Sequence, residues 1–319
     1  MTGEKTCAII RSLCAEVRCR DSWDSMMQKG CMYMKIALMT DIEGVAGLVN
    51  FADWALPESR YYEQGKILLT EEANAAVRGF FDAGADEVVV IDGHGYGAIN
   101  TMLLDRRAQY SRGWGVYHQF GLADHFDAFA VVGQHAKAGT LKSHISHTGS
   151  FNAIEARING ISVGEYGQCV MISGFYGTPA IFAAGERAFA EEAKALTPWV
   201  YTAEGKYGVT LDNGVNCTAE EYAVHNLGAV HVHPEVSRER IYAGAKAALE
   251  DFKANPEKFK VLCPEPPYTY ELWKRKSADK PACKLIRHHE KDIVKMFGAP
   301  DEILYEGYEM PYEYKEIEL

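Results

Sequence analysis

The sequence predicts an α/β protein: a three-layer α/β/α arrangement with a mainly parallel sheet and a smaller C-terminal α+β lobe. Three observations carry this. The short runs Lys35–Thr40, Glu87–Asp92 and Phe126–Val132 have the length and continuous apolarity of strands covered on both faces. Between the first two lies a helical period, with Ala73, Ala76, Val77 and Phe80 on one face. Each apolar run then stops at a polar, glycine-bearing punctuation: Asp41-Ile42-Glu43-Gly44, Gly93-His94-Gly95 and Gly133-Gln134-His135. Strand, helix, strand repetition is the pattern of a parallel sheet with crossover helices.

The 319 residues, 47% of them hydrophobic, are enough to bury a large core. Acidic residues outnumber basic ones 44 to 33, and the net charge of −11 disfavours nucleic acid or an anionic membrane as partner. No apolar run approaches the ~18 residues of a membrane span, and the N-terminus has no apolar core of signal-peptide type, so the expected location is the cytoplasm. The 8 Cys form neither a CxxC pair nor a disulfide framework, which reads as reduced structural thiols.

Residues 1–33 hold Cys7, Cys14, Cys19 and Cys31 at spacings that fit no common zinc finger, and they show no sustained period. The expected organisation is a flexible appendage over 1–33, a metal-binding catalytic domain over 34–200 and a C-terminal α+β region over 201–319. Residues 45–60, with Pro57, read as a long loop beside the first strand end. Thr70 is placed as the cap of the first helix, with Glu71 and Glu72 in its first turn, and Gly84 ends it. Asn159-Gly160 between β-branched residues predicts a type I′ hairpin that sets Glu165 at the start of a helix. A strand over Pro179–Ala184, helices over 186–196, near Glu220 and over Ser237–Asn255, and a strand over Tyr268–Trp273 complete the reading.

The strand ends carry the chemistry. Asp41 and Glu43 share a parity, so both carboxylates leave the same side of an extended chain. Ligands bind at the carboxyl ends of strands in open parallel sheets, where His94 and His135 also fall. Carboxylates and imidazoles without a thiolate suit zinc, manganese or cobalt. With Glu165 the set is too large for one tetrahedral ion and suits two metals bridged by a carboxylate. Each residue alone reads as turn or loop chemistry; their joint occurrence at equivalent strand ends gives the signal. Gly93-His94-Gly95-Tyr96-Gly97 is not a dinucleotide-binding fingerprint, and no phosphate-binding P-loop occurs.

Thr40-Asp41-Ile42-Glu43-Gly44, Tyr62-Glu63, Thr70-Glu71-Glu72-Ala73-Asn74, Asp92-Gly93-His94, Gly133-Gln134-His135-Ala136-Lys137-Ala138, Ser146-His147-Thr148 and Val163-Gly164-Glu165 resemble the D-aminopeptidase family of binuclear-zinc metallopeptidases. The resemblance runs in order from about Met34 to Gly185 and continues weakly through His233-Pro234-Glu235 and Pro266-Pro267-Tyr268. It implies two Zn²⁺ per subunit: Asp41 bridging, Glu43 and His135 completing one site, His94 and Glu165 the other, and His147 as the catalytic residue. It also implies short peptides as substrates and a homo-oligomer, a hollow decamer of stacked pentamers with inward-facing sites.

The chain departs from the family pattern in Gly185-Glu186-Arg187, where Gly-Asp-Asp is common, and in residues 201–236; both changes are expected to touch substrate selection or subunit contacts. Two other readings share the ligand set: hydrolysis of a small non-peptide amide, and a non-catalytic metal-binding assembly protein.

Overall fold

A computed structural model describes residues 33–113, 122 and 126–311 of the protein. The expected appendage over 1–33 lies, apart from Tyr33, outside the described residues, and the chain from Lys35 onward forms one compact unit. In chain order its elements are β1 (Lys35–Thr40), α1 (Phe51–Trp54), α2 (Tyr62–Asp82), β2 (Glu87–Asp92), β3 (Gln109–Ser111) and β4 (Ala128–Gln134). Next come β5 (Ala153–Ile158), β6 (Ile161–Ser162), α3 (Glu165–Phe175), β7 (Ala180–Glu186), α4 (Arg187–Leu196) and β8 (Tyr201–Gly208). The chain closes with α5 (Ala219–Tyr222), β9 (Ala229–His231), α6 (Pro234–Ala254), β10 (Tyr268–Lys274), β11 (Cys283–His289), α7 (Ile293–Phe297) and β12 (Glu302–Leu304).

The apolar runs form the middle of a seven-stranded sheet ordered β3-β2-β1-β4-β7-β8-β9, parallel except for the β8–β9 pair. Alternate residues of each strand serve opposite layers. Ala37, Met39, Val89, Ile91, Phe129 and Val131 share one core with α3 and with Tyr268 and Tyr270 of β10. The other face is covered by α2 and α6: Phe80 of α2 meets Phe182 of β7 edge-on at 6.3 Å, and Gly79 lies where a Cβ would come within 2.6 Å of the Tyr242 carbonyl in α6. A fully buried Ile, Leu, Val or Phe in such layers contributes about 1.5–3 kcal/mol, which makes the sheet a rigid platform for its ends. No described helix is long and apolar enough to cross a membrane.

The second, antiparallel sheet has the order β12-β11-β10-β5-β6. Its hairpin turn at Asn159 (φ +49°) and Gly160 (φ +79°) has the two positive φ angles of the expected type I′ turn. The chain does not change layers at residue 200, because β8 and β9 join the parallel sheet while β5 and β6 pair with the C-terminal strands. The boundary expected there separates runs of sequence and not sheets.

The first helix begins at Tyr62, eight residues before Thr70. Its early turns use Tyr62, Gly65 and Leu69 as the inner face and need no Ser or Thr cap. Thr70 instead lies within the helix, where its hydroxyl donates to the Lys66 carbonyl at 2.6 Å and accepts from Asn100 N at 2.8 Å. Glu72 consequently faces inward, accepting from Ala46 N at 3.2 Å and from the Ser237 hydroxyl at 2.7 Å.

Backbones cross closely at the sheet's carboxyl edge. A Cβ on Gly133 (φ +77°) would meet the Asp41 carbonyl at 2.0 Å, and one on Gly185 would meet the Gln134 carbonyl at 1.9 Å. Gly133→Ala should therefore destabilise by roughly 1–3 kcal/mol or more through overpacking and the left-handed φ. Denaturant unfolding checks this; an unchanged midpoint would mean that the crossing relaxes freely.

Candidate metal centre

The register that pairs Thr40 with both Asp92 and Val132 puts the ends of β1, β2 and β4 side by side. Asp41 leaves the middle strand, His94 comes after β2 and His135 after β4. Asp41 thus stands between the two histidines. Its Oδ1 is 3.3 Å from His94 Nδ1, and its Oδ2 is 3.2 Å from His135 Nε2. Glu43 Oε1 lies 3.4 Å from the same His94 nitrogen, and Glu165 Oε2 lies 3.5 Å from the same His135 nitrogen.

All five expected ligands therefore converge, but in a different grouping. Glu43 stands with His94, and Glu165 with His135; the resemblance implied the opposite exchange. Two triads of donor atoms result, Asp41, Glu43 and His94 on one side and His135, His147 and Glu165 on the other, each within 4.8 Å. Asp41 joins them.

Both histidines have the environment of metal ligands. His94 Nε2 donates to the Ala55 carbonyl at 2.7 Å and His135 Nδ1 to the Ala136 carbonyl at 2.8 Å, which leaves the other ring nitrogen of each turned to the carboxylates. Glu43 Oε2 and His135 Nε2 are buried without a hydrogen-bond partner. A cavity of about 10 Å³, enough for one water-sized species, is lined by Asp41, Gln134, Glu165 and Cys169. The donors of each triad fit a divalent cation, and the orphaned atoms are ones a cation would satisfy.

The electrostatics ask for positive charge at the same points. Burial alone would lower the His94 pKa, but Glu43 and Asp41 overcome it and raise it to about 11. His135 is likewise held well above the usual imidazole range against its burial, by Glu165 and Asp41. Burial would raise Asp41, yet the His135 and His94 imidazoles beside it hold it well below the ordinary carboxylate range. Cys169, one helical turn beyond Glu165, is pushed well above the usual thiol range by burial and then by Glu165 and Asp41, so it contributes no thiolate.

His147 sits beside this cluster. Its ring stacks on His135 with centroids 4.0 Å apart, and its Nε2 is 3.8 Å from Glu165 Oε1. Nδ1 donates to the Ile145 carbonyl at 2.9 Å, so Nε2 is the free base. Burial, and then the charge of His135, lowers its pKa below the ordinary value. Phe51 and Phe151 wall the ring at centroid distances of 6.2 and 4.7 Å. His144 points elsewhere: its Nε2 donates to the Val49 carbonyl at 3.0 Å and its ring meets His231.

Several supporting residues escaped the sequence reading. Gln134 Nε2 donates to Asp41 Oδ2 at 2.9 Å and to Glu165 Oε2 at 3.2 Å. The buried Lys206 ammonium donates to the Glu43 carbonyl and, at 3.4 Å, to that of Leu48, fixing the Asp-x-Glu loop from below. Burial pulls the Lys206 pKa down to about 8 against the pull of Glu186 and Glu72. The change at Glu186 is one expected to touch substrate selection or subunit contacts. Glu186 is fully buried, and its carboxylate accepts backbone amides of the loop that carries the histidines. Gln134 was legible as part of a strand-end motif and Glu186 as a departure from the family pattern; Lys206 gave no local signal.

Comparison with known proteins bears on this geometry. The sequence model of the D-aminopeptidase family matches residues 34–292. A curated D-aminopeptidase of Bacillus subtilis (strain 168) is 33% identical over 191 residues, 58% of this chain and 67% of the relative. The fold is similar to that of the Zn-dependent D-aminopeptidase DppA from Bacillus subtilis, a self-compartmentalizing protease, with a TM-score of 0.69 at 24% identity over 83% of this chain and 94% of that chain.

Proposed function

The chain belongs to the D-aminopeptidase family and is a hydrolase of the peptidase class, and from that premise we propose that it is a two-zinc aminopeptidase removing N-terminal residues from short peptides. The observation that carries this is the position of Asp41 between two ligand pairs, its Oδ1 beside His94 with Glu43 and its Oδ2 beside His135 with Glu165. Asp41 would be the residue held in common, with Glu43 and His94 on its Oδ1 side and His135 and Glu165 on its Oδ2 side. When bound, the two zinc ions supply Lewis acidity, polarising the scissile carbonyl and lowering the pKa of an attacking water towards neutrality.

The protein's own residues do the rest. His147 Nε2, unprotonated and facing Glu165, takes the proton of the attacking water and delivers it to the departing amine. The Ile145 carbonyl holds the ring in the tautomer that allows this. Phe51 and Phe151 exclude bulk water beside the imidazole and offer an apolar wall to a substrate side chain. Gln134 keeps Asp41 and Glu165 from separating.

Similarity to a self-compartmentalizing protease supports a homo-oligomer, and we extend this to the decamer. The free thiols of Cys169, Cys217, Cys263 and Cys283 support a reducing, cytoplasmic setting. All residues given roles lie between Asp41 and Lys206, so a chain that starts at Met34 should keep its fold, metals and turnover. Loss of any of the three in that truncation would make residues 1–33 integral.

The function is tested by turnover of a panel of D- and L-aminoacyl di- and tripeptides before and after chelation. Hydrolysis that releases the N-terminal residue, is lost on chelation and returns with zinc is expected. Chelator-resistant hydrolysis, or attack on small amides alone, would contradict the reading.

A further inference from the structure

His135 and His147 stand at the two ends of one loop whose amides are held by side chains. Ala136 N donates to Glu186 Oε1 at 2.8 Å, Lys137 N to Glu192 Oε2 at 2.8 Å, Ala138 N to Thr148 Oγ1 at 3.2 Å and Gly139 N to the Tyr222 hydroxyl at 2.8 Å. Glu186 differs from the others in taking a backbone amide from each limb: its Oε2 accepts His144 N at 2.6 Å. One carboxylate therefore spans the residue after His135 and the residue three before His147.

The neighbour of His144 gives that bond its consequence. Ile145 has φ +57°, a left-handed conformation that β-branched residues rarely adopt. Its carbonyl is the partner of His147 Nδ1. A strained turn persists only where its surroundings hold it, and freeing the His144 amide removes one of the holds. The Ile145 carbonyl would then turn from His147, and the imidazole would lose both its tautomer and its aim. Glu186 itself cannot drift, since it ends β7 at 0% exposure and its neighbour Gly185 is locked against the Gln134 backbone.

We propose that Glu186 is a positioning residue that fixes the metal ligand His135 and the base His147 relative to one another. It touches neither substrate nor metal and acts through the loop whose two limbs it holds. This rests on the two-metal hydrolase reading.

The test uses the full chain loaded with zinc. Glu186→Gln is isosteric but places an amide N–H₂ against one of the two backbone donors. It should weaken zinc retention in a chelator titration by about 10–100-fold, as loss of an outer support of a ligand histidine does. At saturating zinc it should lower kcat by roughly 10–100-fold with KM within about threefold. In a His147→Ala background the same change should cost less than about threefold further in kcat, because its effect runs through that imidazole. Should Glu186→Gln not fold, Glu186→Asp, with both acceptors on a shorter stem, should show smaller losses in the same direction. Wild-type zinc retention and kcat in the folded variant, or a kcat loss that multiplies in full with that of His147→Ala, would overturn the assignment. A wild-type chain that neither retains zinc nor cleaves peptide would remove the hydrolase reading and this one with it; a wild-type chain that does both beside an unaffected variant removes the Glu186 role alone.

Discussion

Asp41→Ala should abolish turnover, by about 10⁴-fold or more, and should release both metals, whereas His94→Ala should keep one. The expectation comes from position. Asp41 leaves the middle of three adjacent strands, and its two oxygens lie 3.3 and 3.2 Å from imidazoles that belong to different triads. No other carboxylate among the described residues faces both. Removing it takes a ligand from each ion and leaves Glu43 and Glu165 with less positive charge to offset their own burial, while the lost chemistry is that of the whole pair. His94→Ala removes a ligand from one triad and leaves Glu165 and His135 in place. Metal analysis of the two variants decides between these arrangements. Equal metal loss in both would argue against a bridging Asp41.

The second large effect separates two histidines that share nearly identical local sequence. His147→Ala should keep the fold and both metals yet lower kcat by roughly 10²–10⁴, the range for a positioned acid–base group. His144→Ala should leave kcat within a small factor, because its ring is bonded to the Val49 carbonyl away from the cluster. Burial sets the pH dependence. His147 acts as a base only when neutral, and burial and His135 depress its pKa; the acid limb of kcat should therefore fall below the ordinary imidazole value of about 6.5. The same depression means that acid favours the unfolded chain, which takes up the proton first, so stability from this group is lost as pH falls below about 6.5. An acid limb above that value would show that His147 is stabilised as a cation in the working enzyme. Full activity in His147→Ala with none in His144→Ala would transfer the role to His144.

The strands and their ends were readable from residue types because apolar runs covered on both faces leave a continuous signal, and the abrupt change to Asp-x-Glu, Gly-His and Gln-His marks where each run stops. Parallel neighbours then bring those ends together without further information. The grouping of ligands was not readable in this way. Glu43 lies in the loop after β1 and His135 follows the neighbouring β4, and the course of that loop, tied by Gly44 N to the Gly133 carbonyl at 2.7 Å, leaves Glu43 beside His94. The start of α2 was missed because Tyr61, at its N-cap, gives no side-chain bond. Lys206, Glu186 and Glu72 look in a single sequence like surface charges. Their partners, backbone atoms and for Glu72 also the Ser237 hydroxyl, lie far along the chain and leave no mark on residue type.

That two cations share Asp41 is tested most directly by elemental analysis of the purified wild-type protein, loaded with zinc and freed of loosely bound ion by gel filtration. Close to two zinc ions per subunit are expected, because the three carboxylates Asp41, Glu43 and Glu165 with the imidazoles His94 and His135 exceed the needs of one ion. A ratio near one would contradict the bridge, and a ratio near zero in protein never exposed to chelator would contradict the metal centre itself.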